Sequence, residues 1–479
     1  MNRFNLLCFA TFLAFALTIA LDIGQRQLAH PGKETILFAS MWAQGEPLQQ
    51  ASELIFAEFE RTYPQYHVEA RWDGRTLLPA VRPRLLTGTD IPDILNTDFG
   101  SLQILVDEGY VEPLDAFLDQ EPHPDHPELK LRQAFLPKIL DHCQYEAHPQ
   151  DGQDSSPAAK GDQAETPRGG TCLLPAGIWA PFIFYNRVHY ERLGLKIPRR
   201  WSELLDNCQR LKAEGFTPFA SDEFAYAGMW PDLLLRRALP EGVLRQTIEG
   251  KGPRFDRDPR YRAVFQAIRD LHHPGWYMSG WKGSQWPGAQ RRWALGEATH
   301  MICGTYLIRE TQEYHPDPKR FRLGGFSMPE LDPVAWGDQA PQPVGDSGAT
   351  SVTLAGFAQL KGGRCPEGAR KLLSFLLRKS NAALLARIGK EIPAVKDAAF
   401  PAELEEIRAE FQASSSFHQD TFYLYAPGWA KFTWSRLYRQ FFMGESEADK
   451  DFLPVPEFLK ELQRRTDEYH ANGGESAFK

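Results

Sequence analysis

Residues 35–72 switch hydrophobic period twice, and that switch decides the fold class. Thr35-Ile-Leu-Phe-Ala-Ser-Met-Trp42 is a near-continuous apolar run, as expected of a strand buried on both faces. From Leu48, apolar side chains recur at Ala51, Ile55, Phe59 and Tyr63, a helical spacing that Pro64 stops. Tyr66, Val68, Ala70 and Trp72 then alternate with polar residues, the period of a second strand. Strand, helix and strand in this order predict a parallel α/β sheet with helices on its faces.

The rest of the chain extends the pattern. Ile91-Pro-Asp-Ile-Leu-Asn96 is a third short strand, and a helix runs from Ser101 to Gly109. Ala180 to Asn186 reads as a new strand. Arg187 to Leu193 is a helix ended by Gly194, and Trp201 to Glu214 one ended by Gly215. A second α/β unit therefore starts near residue 176. Proline-rich sequence from Pro329 to Pro343 marks a further boundary, and helix resumes at Pro366. A hydrophobic content of 42% with 24% charged residues excludes a disordered chain, a collagen and a coiled coil. The net charge, 54 − 62 = −8, gives no global attraction to nucleic acid or to an anionic membrane.

The N-terminus sets the compartment. Met1-Asn2-Arg3 carries one positive charge and precedes an almost wholly apolar stretch from Phe4 to Leu21. This is the form of a secretory signal peptide, residues 1–21, and its length also allows an uncleaved N-terminal anchor. Five cysteines follow, none in a CxxC pair, so the sequence offers no zinc or iron–sulfur spacing. Cys143 and Cys172 bracket a polar insert, His148 to Gly170, that lacks Ile, Leu, Val, Phe, Met, Trp and Tyr altogether. In an oxidising compartment a Cys143–Cys172 disulfide would close that loop, worth roughly 3–4 kcal/mol; two unpaired buried thiols are the alternative.

A search for catalytic chemistry yields little. Gly345-Asp-Ser-Gly348 resembles the nucleophile signature of chymotrypsin-like proteases. That chemistry needs a His held by an Asp in a fold of two barrels, which the opening contradicts. The available His300 lies on a helical pattern. The other reading of Asp346 and Ser347 is a glycine-rich turn whose N–H groups face a cleft. No GxSxG, HExxH, P-loop or helix-opening GxGxxG is present. The pairs His272-His273 and His123-Pro-Asp-His126 read as solvated loops rather than metal ligands. No catalytic or metal-binding residue and no cofactor is expected.

A family resemblance emerges from several blocks in order. These are Phe56-Ala-Glu-Phe-Glu-Arg-Thr-Tyr-Pro64, Leu86-Thr-Gly-Thr-Asp-Ile-Pro-Asp93, Gly109-Tyr-Val-Glu-Pro-Leu-Asp115, and Phe184-Tyr-Asn-Arg187 with Trp201-Ser-Glu-Leu204. Trp293-Ala-Leu-Gly-Glu-Ala-Thr-His-Met301 and Gly304-Thr-Tyr306 complete the set. Together they resemble the carbohydrate-binding, maltose-binding-protein-like solute-binding proteins of bacterial ABC transporters. Arg200 departs from the pattern, standing where the family usually has a Thr cap. The signal also lacks the lipobox common in Gram-positive relatives, which favours a Gram-negative periplasm.

The resemblance implies an α/β, two-lobed periplasmic-binding-protein type II fold with an interlobe ligand cleft. Residues 34–120 with 345–395 would form lobe one, 121–175 a connector with the polar insert, and 176–330 with 400–479 lobe two. The implied function is non-enzymatic: a monomer captures a sugar or oligosaccharide and delivers it to ABC permease subunits. A sensing module for a membrane receptor and an exported glycan hydrolase are the competing readings. Sugars present C–H faces to aromatic rings and hydroxyls to polar groups. Candidates at strand ends are Trp42, Gln44, Asp98 and Phe99, then Trp179, Trp230, Gly304, Tyr306, Asp346, Ser347 and Trp429. Trp276, Trp281, Trp286 and Trp336 read as loop aromatics, and Trp434 as packing inward.

Overall fold

A computed structural model describes residues 30–146, 169–222, 226–315, 317–332, 345, 348–414, 416–419, 426–444, 449–450 and 452–474. The strands are β1 (Glu34–Ser40), β2 (Tyr66–Trp72), β3 (Ile94–Asp98), β4 (Gln144–Glu146), β5 (Gly169–Thr171) and β6 (Leu174–Trp179). They continue as β7 (Pro181–Asn186), β8 (His300–Gly304), β9 (Leu323–Phe326), β10 (Thr350–Gln359), β11 (Ile392–Pro393) and β12 (Phe417–Gln419). The chain divides into two units. Unit 1 takes the described residues up to Gly177, with Leu354–Gly389 and Pro393–Ala399. Unit 2 takes Ile178–Thr353, Lys390–Ile392 and the described residues from Phe400. The chain changes unit inside β6, β10 and β11, which are neighbours in the sheet order β11-β6-β10-β3-β1-β2.

In unit 1, β1 pairs in parallel with both β2 and β3, so Phe38 stands opposite Ala70 and Ile94. Ile36 to Ala39 are buried, which is why this strand is apolar at every position. The helix Pro47–Thr62 lays Leu48, Ala51, Ile55, Phe56 and Phe59 on the core, with the Phe56 ring 5.0 Å from Phe38. Buried Asp93, from the Pro-Asp motif, stitches the sheet: its carboxylate accepts Leu37 N–H at 2.8 Å and Cys365 N–H at 2.7 Å. Burial raises its pKa, and the two N–H donors oppose that rise.

Several boundaries differ from the sequence reading; Lys390–Ile392, expected in lobe one, belong to unit 2, and residues 176–177, expected in lobe two, to unit 1. Residues expected as a connector are part of unit 1, because Leu131, Ala134, Phe135 and Leu140 join its single core. Residues 350–353 of β10 belong to unit 2, where they pair with β12. The expected disulfide is not formed either, although Cys172 N–H donates to Cys143 O at 3.0 Å beside the β4–β5 pair. Both thiols are free and buried, and each turns to a main-chain carbonyl. Cys172 Sγ lies 3.4 Å from Cys143 O, and Cys143 Sγ lies 3.6 Å from Ile139 O. The signal segment and the polar insert up to residue 168 lie outside the described residues.

Unit 2 centres on β7, antiparallel to β8 on one side and β9 on the other, with Ile183 opposite Ile302 and Phe326. Helices Met229–Ala238, Pro259–Asp270 and Val455–Ala471 pack beside one another round an aromatic core that includes Trp230, Tyr261, Trp429, Trp434 and Tyr438. The helix Trp201–Ala213 keeps its start despite Arg200. Glu203 Oε2 accepts Arg199 N–H at 2.7 Å and Arg200 N–H at 3.2 Å, doing the work of the missing Thr. His300 sits in β8, not in a helix: all five residues of this strand are buried, and it pairs with β7 along its length. His123 and His272 are buried rather than lodged in solvated loops, and His272 Nδ1–H donates to Ile268 O at 3.0 Å; Trp276 and Trp281 lie between the longer elements and are buried.

Candidate functional site

In unit 1 the candidates gather at the carboxyl end of the parallel strands, where β1 has neighbours on both sides. Ser40 Oγ–H donates to Asn96 Oδ1 at 2.8 Å, and Asn96 Nδ2–H donates to Gly356 O at 2.9 Å. Ser40 Oγ in turn accepts Trp42 N–H at 3.1 Å. This buried polar lock fixes the direction in which the chain leaves β1. Gly74, at φ +59°, closes against the same turn: a Cβ there would sit 3.2 Å from Ala43 Cβ. Trp42 emerges half-buried against the unit 1 core, and Gln44 is exposed. Asp98 has a structural task, capping the helix Phe99–Asp107 by accepting Ser101 N–H at 2.9 Å and Ser101 Oγ–H at 2.7 Å. Phe99 is buried.

Unit 2 brings together Trp179 from the end of β6 and Tyr306 just past β8. Their rings meet edge to face, centroids 5.9 Å apart at 80°. Gly304 makes room for this pair, since a Cβ there would fall 2.4 Å from Tyr306 Cε1. Trp179 also lies beside the buried Glu391, which forms an ion pair with Arg309 at 3.0 Å. Desolvation raises the pKa of Glu391, while Arg309 and Trp179 hold it down. Burial and the nearby Cys303 thiol push the Tyr306 hydroxyl well above its ordinary value. Gln290 and Glu310 complete the group: Gln290 Nε2–H donates to Glu310 Oε2 at 2.7 Å.

The other expected residues separate. Trp230, 1% exposed, packs edge-on between Trp201 and Phe219 with no ring face left for a ligand. Trp429, also 1% exposed, stacks on Phe255 and Trp434 and donates Nε1–H to Thr466 Oγ1 at 3.0 Å. Both are core residues, which corrects their assignment as ligand rings. Asp346 and Ser347 lie outside the described residues. A hollow of about 310 Å³ lined by Tyr277, Met278, Trp281 and Lys282 in unit 2 includes none of the candidates.

Gln290, Arg309, Glu310 and Glu391 escaped the sequence reading. A helical spacing carried the signal for Glu310, whose N–H donates to Tyr306 O at 3.2 Å one turn earlier. Glu391 gave none, because it arrives from a segment 82 residues beyond Arg309.

The family described as bacterial extracellular solute-binding protein matches residues 42–268. A probable secreted solute-binding lipoprotein from Streptomyces coelicolor is similar with a TM-score of 0.67 at 14% identity, over 90% of this chain and 98% of that one. The apo form of RafE from Streptococcus pneumoniae gives 0.64 at 16% identity, over 91% and 98%. The GacH receptor of Streptomyces glaucescens, solved unliganded and with acarbose, gives 0.62 at 12% identity, over 92% and 98%. No curated protein sequence matches the chain. The structural likeness identifies the two-lobed α/β fold of these binding proteins.

Proposed function

We propose that this chain, which matches the bacterial extracellular solute-binding protein family over residues 42–268, is the substrate-binding component of an ABC transporter for a sugar or oligosaccharide. The observation that carries the reading is the Trp179–Tyr306 ring pair bordered by Glu391 and Arg309. Aromatic rings beside fixed polar groups suit the alternating C–H faces and hydroxyls of a pyranose. RafE has been solved with raffinose and GacH with acarbose, which supports a carbohydrate as the ligand class.

The role is capture without covalent chemistry. His300, the histidine weighed above as a partner for the protease-like motif, accepts Tyr190 O–H at Nε2, 2.7 Å away, and donates Nδ1–H to Pro218 O at 3.0 Å. Both ring nitrogens are engaged by structure. In this reading the apolar stretch Phe4–Leu21 directs export to the periplasm, and the exported chain acts as a monomer that delivers its ligand to permease subunits; the family match supports the transport role. Among the described residues, no helix is long and apolar enough to cross a membrane. Titrating Trp fluorescence of the exported portion with raffinose, maltotriose, galactose and chitotriose tests the proposal. Saturable binding of one of them supports it, and no response to any of the four, checked by calorimetry, refutes it.

A further inference from the structure

Unit 2 contains a hollow that the ring pair does not use. It holds about 310 Å³, near the lower end of the roughly 300–1,000 Å³ found for small-molecule sites, and its lining is one short segment, residues 275 and 277–282. Hydrogen bonds fix that segment. Met278 N–H donates to Phe219 O at 3.1 Å, Phe219 N–H to Trp276 O at 2.8 Å, and Trp281 N–H to Met278 O at 3.2 Å. Gly275 and Gly280, at φ +75° and +73°, make its two sharp bends. Tyr277, Met278 and Trp281 are buried residues and give the hollow an apolar wall. The charged groups around it are mostly cations. Lys282 Nζ pairs with Asp449 at 3.0 Å, and Arg292, paired with Glu297 at 2.7 Å, donates to Ser279 O at 2.7 Å. A third cation has no such carboxylate. The Lys212 ammonium rests on Gly275, where an added Cβ would run into it, and among the described residues it forms no ion pair. The N–H groups of Ser279 and Gly280 likewise make no hydrogen bond among the described residues.

We propose that this hollow is a second ligand site, separate from the ring pair, for a small organic carboxylate built on one apolar ring. The carboxylate meets the Lys212 ammonium and the N–H groups of Ser279 and Gly280, a charge-assisted arrangement that a neutral ligand does not use. The ring lies against the wall of Tyr277, Met278 and Trp281, where its burial adds to the affinity. Lys282 stays with Asp449 and contributes little net charge. The same cations work against a positively charged ligand. The inference goes beyond the sugar reading and does not depend on it.

The test titrates the exported chain with benzoate, benzamide and benzylamine, which share a ring and are negative, neutral and positive at pH 7. Calorimetry and ligand-observed NMR read the binding. Benzoate should bind, benzamide about 10-fold more weakly, and benzylamine more weakly still. Lys212→Met should weaken benzoate about 10-fold and leave benzamide unchanged, because only the charged ligand uses the ammonium. Lys212 is exposed near the end of the helix Trp201–Ala213, and an unfolding midpoint matching wild type establishes that the variant folds. Lys379→Met, at an exposed position in unit 1, is the control and should bind benzoate as wild type does. No benzoate binding up to about 10 mM overturns the site. So does benzamide binding as tightly as benzoate, or equal loss of benzoate in the two Lys variants, which would mark a diffuse attraction. None of these outcomes bears on the four sugars, so the sugar reading stands or falls by its own titration.

Discussion

Glu391 and Arg309 stand 82 residues apart in sequence and form an ion pair of 3.0 Å with side chains only 7% and 13% exposed. Glu391 reaches this place because Lys390–Ile392 is a three-residue excursion of the chain into unit 2. Losing one partner of such a pair leaves an uncompensated charge. Arg309→Met should therefore cost about 3–5 kcal/mol of unit 2 stability, read by urea denaturation. The double variant Arg309→Met/Glu391→Leu should regain most of it. The deficit of the single variant should shrink toward pH 5. A buried carboxyl with its pKa raised keeps its proton more readily folded than unfolded, so lowering the pH favours the folded state. A deficit independent of pH would show that Glu391 is not the stranded group.

Gly304 and Tyr306 make a second prediction. The Tyr306 ring lies where a Cβ on Gly304 would fall, 2.4 Å from Cε1. Gly304→Ala should push the ring away from Trp179, at a stability cost of about 1–3 kcal/mol. Sugar affinity should fall together with the near-ultraviolet circular dichroism of the ring pair. An unchanged aromatic signal would mean that the ring does not depend on this glycine.

Local periodicity carried the fold further than it carried the site. The switch from continuous to helical to alternating spacing over residues 35–72 located β1, the helix Pro47–Thr62 and β2. Trp179 and Tyr306 were legible because they end apolar runs, where side chains leave a sheet. Trp230 and Trp429 were misassigned because an isolated Trp in sequence does not show which side of its helix is covered. The helix Met229–Ala238 turns Trp230 into Phe219 and Trp201. Trp286, a ring among Gly and Pro, read as a loop aromatic and lies in an exposed turn, with its hydrogen-bond acceptor Glu310 24 residues away. Glu391 was invisible, since only the folded chain brings it to Arg309.

Three buried histidines should make the protein acid-labile. Desolvation, foremost in each case, lowers His300 and His272 to about 3 and His189 to about 4, from the ordinary 6.5. Above pH 6.5 all three are neutral both folded and unfolded, and stability is flat in this respect. Below 6.5 the unfolded chain binds protons that the folded chain refuses, so stability falls as pH falls until the folded values are reached. Each histidine contributes a slope of about 1.4 kcal/mol per pH unit in that window. The urea midpoint should drop between pH 7 and 5. Unfolding of His189→Gln at pH 5 should take up about one proton fewer than wild type, measured by pH-dependent denaturation. Equal uptake would place His189 in solvent.

The thiols give the last expectation. Burial raises the Cys172 thiol to about 12 and Cys143 well above its ordinary value, and Cys208, Cys303 and Cys365 are buried and raised as well. At pH 8 almost none of this sulfur is thiolate, the form that attacks an aromatic disulfide reagent. Native exported protein should therefore react slowly, on the timescale of its own opening. In urea all five should titrate at once if Cys143 and Cys172 remain free, with their sulfurs resting on the Ile139 and Cys143 carbonyls. The same pair lies across one strand ladder, so a two-electron thiol–disulfide exchange with oxidised glutathione could still join it, releasing two equivalents of reduced glutathione. A count of five in urea before such treatment is the expected result. A count of three, with a Cys143–Cys172 peptide in the unreduced digest, would show that the bridge is native after all.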